Sequence, residues 1–89
     1  TVFQAARRQA EAEGWQVHTA DRAAGRIEAT ATSFWYGFKD DVVVRISETE
    51  NGRTRVDMRS ASRVGISDLG VNADRVDAFL DDLAERLEG

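Results

Sequence analysis

The stretch Asp40-Asp41-Val42-Val43-Val44-Arg45-Ile46-Ser47-Glu48-Thr49-Glu50-Asn51-Gly52-Arg53-Thr54-Arg55-Val56-Asp57-Met58-Arg59-Ser60 decides the fold. Val42, Val44 and Ile46 fall on one side of an extended chain, and Thr54, Val56 and Met58 do the same after the Asn51-Gly52 step. Successive side chains of a strand point to opposite faces, so this period of two marks strands with one apolar face. Asn-Gly suits the positive φ angles of a tight hairpin turn, which would join the two strands antiparallel. The pattern predicts strands over 41–47 and 53–60. Arg53, Arg55, Asp57 and Arg59 project from the polar side of the second.

Working outward, the same alternation recurs upstream. Residues 26–32 place Ile27, Ala29 and Ala31 inward and Arg26, Glu28 and Thr30 outward. Residues 15–20 place Trp15, Val17 and Thr19 on one face and Gln16 and His18 on the other, with a turn over 21–25. Residues 2–13 read as a helix with Val2, Phe3, Ala6 and Ala10 on one side and Gly14 at the capping position. After residue 72, Val76, Phe79, Leu80, Leu83 and Leu87 recur at helical spacing, with Asn72 as the expected N-cap and Asp74 in the first turn.

One apolar sheet face and two amphipathic helices define an α+β two-layer domain. It is a four-stranded antiparallel meander with N- and C-terminal helices packed on one face, in the order α-β-β-β-β-α. The other sheet face would carry Arg26, Glu28, Arg45, Arg55, Asp57 and Arg59. It reads as a solvated surface, with a partner-binding surface as the competing reading.

Eighty-nine residues make one domain, spanning 1–89. Hydrophobic residues at 42% and charged residues at 31% are a globular balance. The net charge of −4 argues against a nucleic-acid partner, though it leaves room for a local basic patch. The absence of Cys excludes disulfides and thiol chemistry, and the single His18 cannot build a multi-histidine metal site. No metal and no cofactor is expected. No apolar run approaches the ~20 residues of a membrane span. The chain begins at Thr1, already inside the first helix, so upstream sequence is expected to precede it.

Two connectors carry unusual composition. The first, 33–40, holds Phe34, Trp35, Tyr36 and Phe38 followed by Lys39, the one lysine among 12 basic residues. Its aromatic rings either plug one end of the core or present Trp35 and Tyr36 as an anchor for a protein partner or a membrane interface. The second runs from Arg59 to Asn72 and is more polar than a spacer needs to be. Blocks from both, with others in order, resemble a bacterial domain of unknown function, family 1499 (DUF1499). They are Gly14-Trp15, 25–29, Gly37-Phe38-Lys39-Asp40-Asp41-Val42, 56–65 and Ser67-Asp68-Leu69-Gly70-Val71-Asn72-Ala73. The resemblance covers nearly the whole chain. It implies a membrane-associated protein of the bacterial cell envelope and carries over no activity. Members usually show an extended segment before the first helix. As a strand, it would give an order similar to TATA-binding-protein-like or helix-grip folds; without it, a sheet edge stays open.

Among the polar residues, Asp40 and Asp41 are neighbours at a strand entrance. In a strand they diverge and cannot chelate together, so an internal pairing for each outweighs a cation site. Arg59 and Arg63 with Ser60, Ser62 and Ser67 form either an anion site ahead of the last helix or a network closed internally by Asp68 and loop carbonyls. No base stands ready for a serine nucleophile, since His18 is an exposed strand residue. The expected function is therefore a non-enzymatic binding or assembly module, with Phe34, Trp35, Tyr36 and Lys39 toward a protein partner. Asp40, Asp41, Arg59, Ser60, Ser62, Arg63, Ser67, Asp68 and Asn72 form the polar network. The alternatives are a small-anion or small-molecule binder and, third, an enzyme.

Overall fold

The computed structural model describes residues 2–32, 39–62 and 69–88. Its elements run α1 (Val2–Ala12), β1 (Gln16–Asp21), β2 (Arg26–Thr32), β3 (Lys39–Glu48), β4 (Thr54–Ser62) and α2 (Leu69–Glu88). The strands form one antiparallel sheet in the order β1-β2-β3-β4, the expected meander. Both helices pack on its apolar face.

The core follows from the alternation. Ile27, Ala29, Ala31, Val42 and Val44 are buried from the sheet, Ala6 and Ala10 from α1, and Phe79 and Leu83 from α2. Small residues dominate the α1 contact, so that helix lies close to the sheet. Trp15 stacks on Phe79 with ring centroids 5.2 Å apart, linking the start of β1 to α2. The helices are tied to each other through Gln9, which is buried and accepts from Arg86 Nε at 3.1 Å. Leu87, expected on the apolar stripe, is 47% exposed.

The turns obey backbone sterics. Gly14 has φ +81°, and Trp15 N–H reaches back to the Ala10 carbonyl, closing α1 with a left-handed cap. Gly25 has φ +65°, its carbonyl accepts from Ile46 N–H at 2.7 Å, and it sits so close to β3 that a Cβ would collide with the Ile46 carbonyl oxygen.

Three expectations are corrected. In β1 the register shifts between Val17 and Thr19, so His18 is an extra residue in a bulge. Thr19 then pairs with the outward-facing Glu28, and Ala20 takes the inward position opposite Ile27. His18 is exposed but engaged, with Nε2 2.6 Å from Thr30 Oγ1. Second, β3 begins at Lys39 and β4 ends at Ser62, so both connectors give residues to the sheet. Third, α2 starts at Leu69, which places Asn72 inside the helix and not at its cap.

Candidate functional site

The inward parity of β3 and β4 continues past their apolar residues. Asp40 stands two before Val42, and Ser60 and Ser62 stand two and four after Met58. All three therefore face the helix layer, at the register level where Asp40 pairs with Ser62. There α2 supplies Asn72 and Arg75.

The five side chains close on one another. Arg75 Nη1 donates to Asp40 Oδ2 at 2.6 Å, to Asn72 Oδ1 at 3.0 Å and to Ser60 Oγ at 3.2 Å. Ser60 Oγ donates to Asn72 Oδ1 at 2.7 Å, and Asn72 Nδ2 donates to Ser62 Oγ at 2.9 Å. Asp40 and Asn72 are buried. The Asp40 and Arg75 side chains are 7% and 15% exposed. A buried ion pair gains little over an apolar pair of the same shape, but it is costly to break and fixes one geometry. This cluster sets where the N-terminal half of α2 sits on the sheet.

Each residue singled out in the sequence has a place. Asp40, Ser60, Ser62 and Asn72 belong to the cluster. Asp41 and Arg59 do not, because they occupy the alternate positions and face the other side of the sheet. Arg75 was not foreseen as the partner of Asp40. Lys39 is exposed at the start of β3, on the same side as Asp41. Phe34, Trp35, Tyr36, Arg63, Ser67 and Asp68 lie outside the described residues.

The opposite face of the sheet has no element packed on it among the described residues. Two rows of cross-strand partners dominate it: Asp21–Arg26–Arg45–Asp57 and Thr19–Glu28–Val43–Arg59. Arg26 is bonded to Glu28 at 2.8 Å and Arg55 to Asp57 at 3.1 Å. Arg45 and Arg59 have no ion pair or side-chain hydrogen bond among the described residues. An open groove of about 340 Å³ runs across β2, β3 and β4, lined by Arg26, Val43, Arg45, Asp57, Met58 and Arg59.

The model of the protein family of unknown function DUF1499 matches residues 1–83. The chain belongs to this family. No curated protein and no solved structure matches it. In this DUF1499 domain the described residues of the polar stretch from Arg59 to Asn72 fall into two groups. Ser60, Ser62 and Asn72 belong to the internal clamp, and the outward Arg59 belongs to a basic groove with no element over it among the described residues. Among the described residues no helix is long and apolar enough to cross a membrane, and no three His, Asp or Glu side chains gather as a metal-binding group.

Proposed function

We propose that the domain is a non-enzymatic binding and assembly module of the bacterial cell envelope, and that the outer face of its sheet, uncovered among the described residues, is the recognition surface for an anionic partner. The observation that carries this reading is the groove in which Arg45 and Arg59 make no ion pair or side-chain hydrogen bond among the described residues. The polar cluster under α2 is a poor rival as a site, because its groups are already bonded to each other. The non-enzymatic part draws support from the serines. Ser60 and Ser62 are tied to Asn72, while His18 bonds to Thr30 on the other face of the sheet. The envelope setting rests on the family resemblance. Lys39, exposed on the same face, extends the basic surface toward the aromatic connector.

The test is site-specific photo-crosslinking of the full-length protein in envelope fractions of its host. A crosslinker at Val43, on the groove, is expected to give a discrete adduct that disappears in the Arg45→Glu/Arg59→Glu background. A crosslinker at Asp81, exposed on α2, is expected to give none. Equal adducts from both positions, or none from Val43, overturn the reading.

A further inference from the structure

The groove is unusual in how its charges are arranged, beyond their number. Arg26 and Arg45 are direct cross-strand partners, and like charges placed opposite each other destabilise a sheet. Arg26 Nε is fully buried and has no acceptor, which makes it the sole buried side-chain polar atom without a partner among the described residues. A buried donor left unsatisfied costs about 1–3 kcal/mol and calls for a missing acceptor. Arg45 and Arg59 add guanidinium groups on the neighbouring strands that are unengaged among the described residues. Val43 lines the groove on the central strand and presents no competing charge.

From these features we infer that the groove is a phosphate site that takes a phosphate monoester dianion, bridging Arg26, Arg45 and Arg59. This deepens the proposed recognition surface and rests on it. The charge balance selects the ligand. Arg26 is paired with Glu28 and Asp57 with Arg55, which leaves Arg45 and Arg59 as the two groove charges with no bonded carboxylate among the described residues. The remaining double positive charge matches a monoester, which carries about −1.5 to −2 at neutral pH. A carboxylate or a phosphodiester brings one charge and fewer acceptor oxygens. Guanidinium groups hold phosphate through paired N–H donors, so a Lys would not replace Arg45 or Arg59 in kind. The groove is open along its length, so the rest of the ligand is free to leave it. The same chemistry is offered by a soluble monoester and by a monoester lipid headgroup.

The experiment is calorimetric titration of the full-length protein with inorganic phosphate and with glycerol 3-phosphate, at constant ionic strength in chloride. A parallel arm measures binding to phosphatidylcholine vesicles containing phosphatidic acid or phosphatidylglycerol. Arg45→Gln and Arg59→Gln are each expected to weaken binding at least ~10-fold, the usual scale for losing one charge-assisted contact. Asp57→Asn should strengthen it. Arg8→Gln, on exposed α1 surface, should leave it unchanged. Affinity should rise with pH through the second phosphate ionisation near ~6. Preference for phosphatidic acid vesicles over glycerol 3-phosphate assigns the lipid source, and the reverse assigns the soluble one. No binding of either, or equal weakening by Arg8→Gln and Arg45→Gln, overturns the inference. If that occurs while the Val43 adduct persists and still depends on Arg45 and Arg59, the recognition surface stands without the phosphate.

Discussion

Breaking the Asp40–Arg75 pair should cost more than any surface substitution and more than removing the pair altogether. The side chains are 7% and 15% exposed and their contact is 2.6 Å. Arg75→Met leaves Asp40 as a buried charge with no cation, and Asp40→Leu leaves Arg75 facing two polar acceptors and no anion. Stranding one partner of a buried pair costs about 3–5 kcal/mol. A chain of 89 residues is worth ~4–13 kcal/mol in total at roughly 0.05–0.15 kcal/mol per residue, so each single variant loses a large share of its stability. The double variant behaves differently. Ser60, Asn72 and Ser62 keep their own two hydrogen bonds without Arg75, and an apolar pair fills the gap. It should therefore be more stable than either single variant. The assay is urea unfolding by circular dichroism, read as a double-mutant cycle with a coupling energy of at least ~2 kcal/mol. Single variants that each lose less than ~1 kcal/mol, with additive effects, would refute the claim that this pair seats α2.

Two glycines with left-handed backbones, Gly14 and Gly25, separate strain from collision. Gly14→Ala meets open space and should cost about 1–2 kcal/mol for its left-handed backbone, whereas Gly25→Ala also drives a Cβ into the Ile46 carbonyl and should exceed ~3 kcal/mol. Equal losses in thermal melts would show that β2 and β3 are not in contact at that turn. Phe79→Ala removes a fully buried ring stacked on Trp15 and should cost about 3–5 kcal/mol, with a change in Trp fluorescence. An unshifted emission spectrum would contradict the stack.

The meander was legible because each strand has only one dry face. Val42-Val44-Ile46 and Ile27-Ala29-Ala31 repeat at two, and nothing but a half-buried strand explains that. The bulge at His18 was not legible, because an inserted residue leaves the composition on both sides unchanged and merely shifts its phase. In retrospect Ala20 carried the hint: after the shift it is the small apolar residue that faces Ile27. Asn72 was misread for a different reason. It is a residue type that caps helices well, but three further residues upstream are helical, and its amide is used sideways against Ser60 and Ser62. Arg75 was overlooked because an arginine in an acidic helix reads as surface. Counting back from Phe79 and Leu83 places positions 72, 75 and 76 on the inner side of α2, and counting back from Val42 places Asp40 inward beneath them. Those two counts together contain the ion pair.

The charge of −4 is a sum over surfaces of opposite sign. On α2, Asp74, Asp77, Asp81, Glu85 and Glu88 are all exposed, and at 3.6 residues per turn they form a stripe opposite Phe79 and Leu83. The far side of the sheet exposes or half-exposes Arg26, Lys39, Arg45, Arg55 and Arg59 against Asp21, Glu28, Asp41 and Asp57, a small positive excess gathered around the groove. The two layers are held about 10 Å apart by their packed side chains, and the acidic stripe lies farther out still. At physiological salt the screening length is only ~8 Å, so the helix layer contributes little to the potential over the groove. An anion approaching the sheet meets the arginines, and one approaching α2 meets repulsion, which orients the encounter as well as permitting it. Net charge is thus a sound argument against a partner that must wrap the whole domain, such as a nucleic acid. It is no argument against a ligand that touches one face, because that ligand never experiences the sum.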